Sequence, residues 1–156
     1  MTKLESIVTY IYKKYPYPLE LSKARLVKMI YLADWKNVLL TQEQISDTKW
    51  YYNHYGPFVK NIIDDIKKSE YFEIFPSQNS YGGDKEIIKL KENINDDILN
   101  LSSNERETID FVINICSKLN WSDFITLVYS TYPVMNNPKM SELNLIKAAK
   151  EYQKTK

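Results

Sequence analysis

Residues 50–58 read Trp-Tyr-Tyr-Asn-His-Tyr-Gly-Pro-Phe, and the rest of the chain is best understood outward from them. This stretch holds five aromatic residues, the only histidine and one of three glycines. Glycine adopts backbone angles that other residues avoid, and proline suits the first turn of a helix, where its missing N–H costs nothing. The Gly56-Pro57 pair therefore predicts that the chain turns here into a helix.

The residues that follow Pro57 have helical spacing and predict a helix that ends near Ser69. Its apolar side is formed by Phe58, Val59, Ile62, Ile63 and Ile66. In one interpretation His54 and Tyr55 lie at the start of this helix, where free N–H groups and a partial positive charge favour an anion. In the other, the aromatic residues pack into the core and His54 is one polar member of it.

A second predicted helix runs from an N-cap at Ser22 to about Leu39. Its apolar stripe is Leu26, Val27, Ile30, Tyr31 and Val38. Asp34 lies on the same stripe, and a carboxylate there needs a partner because an unpaired buried charge is costly. One interpretation gives it a hydrogen bond from the backbone or a tyrosine hydroxyl, or leaves it exposed at the edge of the stripe. The other pairs it with His54, which would orient the imidazole and raise its pKa.

The remaining segments predict more helices and one β-hairpin. A helix over residues 2–15 is broken by Tyr15-Pro16-Tyr17-Pro18. Two strand-like runs, 71–75 and 85–91, flank a loop with Gly82-Gly83 and read as a hairpin that lies against helices.

Three helices are predicted after the hairpin. The capping box Ser102-Ser103-Asn104-Glu105 starts one that runs to about Lys118. Another is capped by Asn120 or Ser122 and stops at Tyr132-Pro133, and after an irregular segment the last spans about 141–153. The fold class predicted is α+β and predominantly helical, with residues 1–156 forming a single compact domain of about six helices and a small antiparallel β-hairpin.

Composition narrows the function classes. The net charge of +1, from 21 basic and 20 acidic residues, does not indicate a general attraction to nucleic acid or anionic membranes. The N-terminus lacks the pattern of a signal peptide, and no apolar run has membrane-spanning length. A cytoplasmic protein without membrane insertion is therefore expected, and its 13 tyrosines favour a recognition surface.

Few residues are suited to metal or nucleophilic chemistry. With one histidine and one cysteine a zinc centre is not expected, and Asp64, Asp65, Asp96 and Asp97 read as surface charges rather than a magnesium site. Cys116 lies in an apolar run and is expected to be buried and unreactive. No metal site and no cofactor are predicted.

A nucleic-acid partner is also not expected. Several basic residues give the N-terminal third some basicity, but acidic neighbours dilute it, and there is no helix-turn-helix with a basic recognition helix. These residues include Lys13, Lys14, Lys23, Arg25, Lys28 and Lys36.

The order of the motifs resembles the Panacea antitoxin domain family, also described as SocA-like or as the phage-associated GepA-type domain. The resemblance covers residues 4–150 and rests on Lys28-x-x-Tyr31-x-x-Asp34, on Tyr55-Gly56-Pro57 and on the late Tyr132-Pro133. The chain departs from the family pattern at Tyr129, where a histidine is expected.

This resemblance implies an antitoxin that neutralises a cognate toxin by direct protein–protein contact and without catalysis. It implies a partner-binding or groove-forming site at Lys28, Tyr31, Asp34, Tyr52, His54, Tyr55, Gly56 and Pro57. The toxins of the family are diverse, so the identity of the toxin stays open, as does the formation of a homo-oligomer.

Two other functions stay open at this point. The first is a proteolytic adaptor that binds a protease component, or a phage-borne inhibitor of a host protein. The second is a small enzyme that uses His54 and Asp34, for which His54→Ala would abolish activity without unfolding the chain.

Overall fold

The computed structural model describes residues 1–78, 81–92 and 94–156. Its helices are α1 (Lys3–Lys14), α2 (Lys23–Thr41), α3 (Lys60–Lys68), α4 (Ser103–Cys116), α5 (Trp121–Tyr129), α6 (Tyr132–Met135) and α7 (Leu145–Lys154). Its strands are β1 (Tyr51–Asn53), β2 (Gly56–Pro57), β3 (Phe72–Gln78), β4 (Asp84–Leu90) and β5 (Ser141–Glu142).

Helix α2 is the centre of the fold. It begins after Ser22, whose hydroxyl accepts a hydrogen bond from the Arg25 amide as an N-cap. Twelve of its nineteen residues are buried, and it packs against α4 and α7. A helix buried on most of its circumference needs neighbours on several sides, and this explains why the later helices surround it.

The first and fourth helices begin with the capping boxes that their sequences encode. In α4 the pair is Ser102 and Glu105, as predicted, and in α1 it is Thr2 and Glu5, which was not predicted. Glu105 also accepts a hydrogen bond from the Lys3 ammonium at 2.6 Å, which joins the start of α4 to the start of α1.

The central aromatic stretch forms a small sheet of order β2-β1-β5. The prediction that Gly56-Pro57 opens a helix is wrong, because Pro57 belongs to β2 and α3 begins at Lys60. The Phe58 amide donates to the Tyr51 carbonyl at 3.0 Å, so the Tyr52–Pro57 pair between the strands is a non-hydrogen-bonded one. Pro57 therefore loses no ladder hydrogen bond by lacking an N–H.

The predicted β-hairpin is confirmed as β3 and β4, antiparallel from Phe72–Leu90 to Gln78–Asp84. Part of its loop, Asn79 and Ser80, lies outside the described residues. It rests on the helices, as a two-stranded ribbon must. Phe72 packs its ring against Tyr12 of α1 at 6.5 Å, and Ile88 is fully buried.

The C-terminal part differs from the prediction in two places. Pro133 ends no helix but lies in the first turn of the short α6, where proline is favoured. The last helix begins at Leu145 with Asn144 as its cap, because Ser141 and Glu142 form β5 beside β1. Asn120, one of the two caps proposed for α5, is the residue that caps it.

The fold class is α+β and predominantly helical, as predicted. The described residues contain seven helices, one more than expected, since α6 was read as irregular. Within these ranges, no helix combines the length and the apolar character needed to cross a membrane.

Candidate functional site

Asp34 is a fully buried carboxyl group that organises the loop after α2. Its Oδ1 accepts the amides of Ile45 and Ser46 at 3.0 and 2.9 Å. Its Oδ2 accepts the Ser46 hydroxyl at 2.5 Å and the Trp50 indole N–H at 2.9 Å. Gln42, in the left-handed region with φ 68°, ends α2 and turns the chain back toward this carboxyl. The interpretation that gave Asp34 backbone donors is correct for Oδ1, whereas Oδ2 is satisfied by serine and tryptophan side chains that the sequence did not indicate.

The electrostatics of Asp34 are set first by burial. Burial raises the pKa of Asp34 to about 6, and the hydrogen bonds from Ser46, Trp50 and Ile45 oppose that rise. The hypothesis that Asp34 pairs with His54 is wrong. Both carboxylate oxygens are occupied by the 44–50 loop, and His54 is exposed.

Tyr31 connects α2 to the last third of the chain. It is fully buried, and its hydroxyl forms a 2.7 Å hydrogen bond with the Thr131 hydroxyl between α5 and α6. Its ring meets that of Trp50 edge-on at 5.5 Å. Burial raises the pKa of Tyr31. Tyr31 and Asp34 thus both hold Trp50, one by ring contact and one by hydrogen bond.

His54 and Tyr55 form the turn of the β1–β2 hairpin. The Asn53 side chain accepts the Tyr55 amide at 2.9 Å, and Gly56 follows with φ 96°. Tyr55 is 78% exposed. The predicted position at the start of a helix is wrong, because α3 begins beyond the open end of the hairpin, on the side opposite this turn.

The Lys28 side chain of α2 lies next to Gly56. It is only 2% exposed, and burial lowers its pKa. A Cβ atom built on Gly56 would lie 3.5 Å from the Lys28 Cε and 3.4 Å from the Tyr129 hydroxyl. The rings of Tyr129 and Tyr52 meet edge-on at 6.1 Å. Lys28, Tyr52, Gly56 and Tyr129 therefore form one cluster, of which the sequence marked Tyr129 only as a departure from a pattern.

A second feature is an apolar groove of about 430 Å³ between α2, α4, α5, α6 and α7. Trp35 and Leu39 line it from α2, Phe111 from α4 and Met135 from α6. Phe111 is 47% and Met135 68% exposed. Sequence reasoning missed this groove because Trp35 and Leu39 lie off the stripe that marked α2 as amphipathic.

Four of the basic residues of the N-terminal third are engaged within the molecule. Lys23 pairs with Glu86 at 2.6 Å, and Lys13 and Lys14 pair with Asp96. Arg25 donates to the Cys116 and Leu119 carbonyls at the end of α4. They do not form a free basic face.

The residues considered for metal or thiol chemistry lie apart. Asp96 is held by Lys13, which lowers its pKa. The described part of the chain contains no group of three or more His, Cys, Asp or Glu side chains able to hold a metal ion. Cys116 is buried as predicted, and burial raises its pKa to about 12, so its thiol stays protonated and unreactive.

Comparison with known proteins identifies the region that carries this site. The family model of the antitoxin SocA-like Panacea domain matches residues 26–133, which is more than two thirds of the chain. No match to a curated protein or to a solved structure was found. The matched region includes Lys28, Tyr31, Asp34, the hairpin at Gly56 and Tyr129.

Proposed function

Since the chain belongs to the SocA-like Panacea antitoxin-domain family, we propose that it neutralises a toxin by direct protein–protein binding, without catalysis. The observation that carries this proposal is the family match over residues 26–133. The structure supports it by offering a surface suited to a protein partner, the groove between α2 and α4–α7. Residues outside the match, in α1 and α7, pack on α4 and α2, so we assign the whole chain to one domain.

The groove has the composition of a protein-docking surface. Exposed Phe111 and Met135 stand at its rim, and large exposed apolar residues grouped around a concavity mark interaction sites. Methionine and aromatic side chains adapt their shape to a partner, as in grooves that accept an amphipathic helix. We assign this groove to a helix of the toxin.

Two properties favour a helix over a small molecule. The groove continues past Lys36 and Phe111 into a second concavity of about 430 Å³ that reaches Leu40, which is 63% exposed. The combined surface therefore runs along α2 and α4. At the junction the Lys36 ammonium lies 3.9 Å from the centroid of the Phe111 ring, and among the described residues it is the one charged group in the lining of the main groove. A helix with an acidic residue between two apolar positions complements this arrangement.

The alternative that the protein is an enzyme requires Asp34 and His54 to act as an acid–base pair, and the structure does not bring them together. Asp34 is buried and saturated by the loop at residues 44–50, while His54 is exposed at the hairpin turn. A general base must lie within hydrogen-bond reach of the group that it serves, and these two residues do not serve each other.

The test is co-expression with the product of the neighbouring gene. We expect that product to arrest growth alone, and the present chain to restore growth and to co-purify with it as a stable complex. A neighbour that is not toxic and forms no complex would refute the proposal. If growth returns but the toxin disappears only when a protease is active, the chain is an adaptor and the proposed stoichiometric neutralisation is wrong.

A further inference from the structure

Lys28 is a buried cation without a counter-ion. Its side chain is 2% exposed, and the described residues supply no hydrogen bond or ion pair to its ammonium. Burying a charge without a partner is costly, so such groups are normally paired. Near the start of the same helix, half-buried Lys23 pairs with Glu86, and half-buried Arg25 donates to the Cys116 carbonyl. Lys28 is buried more deeply than either, and no such partner is found for it in the described part of the chain.

The ammonium retains a path to solvent. In the described residues, the side-chain atoms that are sealed from solvent and lack a partner are the hydroxyls of Thr9 and Tyr12, and the Lys28 Nζ is not one of them. The Lys28 Cε lies 3.5 Å from a Cβ atom built on Gly56, so the side chain ends beside this hairpin. Because Gly56 has no side chain, the space between its backbone and the Lys28 and Tyr129 side chains is not occupied by a side chain of Gly56 itself.

A second free donor lies beside the first. The Tyr129 hydroxyl would be 3.4 Å from a Cβ atom on Gly56, and it too has no hydrogen-bond partner among the described residues. Its position is fixed by the edge-on contact of its ring with Tyr52. One cation and one hydroxyl thus converge on Gly56 from α2 and α5.

We propose that Lys28, Gly56 and Tyr129 form a binding site for a carboxylate, in which the ammonium and the Tyr129 hydroxyl donate to its two oxygens. A single negative charge balances the single buried cation, and charge-assisted hydrogen bonds of this type are the strong ones. A phosphate carries more charge and usually meets several cations or amides. The source of the carboxylate is an aspartate or glutamate side chain of the toxin, an assignment that rests on the proposed function.

The site is tested without the toxin, on the intact chain, with acetate as the probe. We expect acetate, compared with sodium chloride at equal ionic strength, to shift the backbone amide NMR signal of Gly56 in a saturable way. Lys28→Met should weaken this binding at least about tenfold, because the charge-assisted bond is lost. Tyr129→Phe, which removes only the hydroxyl, should weaken it less, and Lys23→Met on the same helix should leave it unchanged.

Several outcomes would overturn the proposal. One is a Gly56 signal that does not respond to acetate. Another is a signal that responds in Lys28→Met and in Tyr129→Phe as strongly as in the wild-type chain. Inorganic phosphate that saturates the site at lower concentration than acetate would overturn the assignment to a carboxylate. If Lys28→Met does not fold, Tyr129→Phe decides the question alone, because a tyrosine without a hydrogen-bond partner loses little on becoming phenylalanine.

The source of the carboxylate is tested separately, by toxin rescue. If the toxin supplies it, Lys28→Met remains folded but loses rescue, whereas Lys23→Met keeps it. If a free small carboxylate is the ligand, Lys28→Met still rescues while its acetate response is lost, and the toxin assignment is wrong. Failure of the wild-type chain to rescue would refute the proposed function and leave the acetate result standing.

Discussion

Asp34 shows how one residue controls the aromatic stretch. Its carboxyl accepts hydrogen bonds from two backbone amides, a hydroxyl and the Trp50 indole. These bonds fix the conformation of the loop at residues 44–50 against α2. Trp50 is then fully buried directly before β1. We infer that the contribution of Asp34 to function is indirect, through the position of the hairpin that follows.

Replacing Asp34 by asparagine should destabilise the fold in a pH-dependent manner. The amide NH₂ would face donors in place of an acceptor oxygen, which costs about 1–3 kcal/mol. Burial raises the folded-state pKa of Asp34 from 3.8 to about 6. Between these values the unfolded chain has released its proton and the folded chain has not, so the contribution of Asp34 to stability falls as the pH rises.

The measurement is urea unfolding of wild type and Asp34→Asn at a series of pH values. Asparagine does not titrate, so the stability difference, wild type minus variant, isolates this group. We expect the difference to decrease by about 3 kcal/mol from below pH 4 to above pH 6, at about 1.4 kcal/mol per pH unit. A difference that stays flat above pH 4 and rises with pH only below pH 3.8 would mean that the hydrogen bonds outweigh burial and that the folded-state pKa lies below 3.8.

At the residue scale, the sequence predicted that Asp34 needs hydrogen-bond donors but not which residues supply them. An aspartate on the apolar stripe of α2 required a partner, and the backbone option proved correct for one of its two oxygens. The particular donors, Ile45 and Ser46, were not predictable, because every residue except proline has an amide and no side-chain pattern marks the ones that will be used. His54 drew attention as the only histidine, yet the turn leaves it exposed.

Among the elements, the hairpin of β1 and β2 departs most from its sequence pattern. Gly56-Pro57 fits a helix start and also fits a strand whose proline nitrogen faces away from the ladder. In the structure Gly56 and Pro57 pair with β1, whose other edge pairs with β5, a strand more than 80 residues later in the chain. Local signals predicted α1, α2, α4 and the second hairpin well, since caps and periodicity are encoded within each element.

Gly56→Ala tests what this hairpin requires. Gly56 has φ 96°, a region in which a side chain costs about 1–2 kcal/mol. The new Cβ atom would also lie 3.4 Å from the Tyr129 hydroxyl, within ordinary contact distance. We expect the midpoint of urea unfolding to fall, with a change in the environment of Tyr129.

Gly82→Ala is the matched control, because Gly82 also has a positive φ, 79°, but a Cβ atom there would meet nothing within 4 Å. Gly82→Ala should also lower the midpoint of urea unfolding, because its backbone is strained in the same way. The environment of Tyr129 should not change. An acetate response of the Gly56 region that survives Gly56→Ala but not Gly82→Ala would contradict the assignment of the site to Gly56.

At the scale of the whole molecule, the groove is a product of assembly. Trp35 and Leu39 on α2, Phe111 on α4 and Met135 on α6 are up to 100 residues apart in the chain. In the sequence each of them is an ordinary apolar residue, and they form a groove only when the helices pack around α2. Among the residues predicted from family motifs, Tyr31 holds this assembly together through its bond to Thr131, which itself lines the groove.

Phe111→Glu tests whether the groove is the toxin-binding surface. Phe111 is 47% exposed, so a charge at this position leaves the core intact but places a carboxylate at the rim, where the partner helix would be buried. We expect toxin affinity to fall at least about tenfold, as for an interface residue worth more than about 1.4 kcal/mol, and growth rescue to be lost.

Ile98→Glu is the matched control, since Ile98 is 53% exposed and lies outside the groove lining. It should bind the toxin as wild type does, and both variants should keep the wild-type unfolding midpoint, because surface substitutions rarely change stability by more than about 0.5 kcal/mol. Retained binding by Phe111→Glu would place the toxin on another surface. Loss of binding by both would show that added negative charge, and not the groove, governs the interaction.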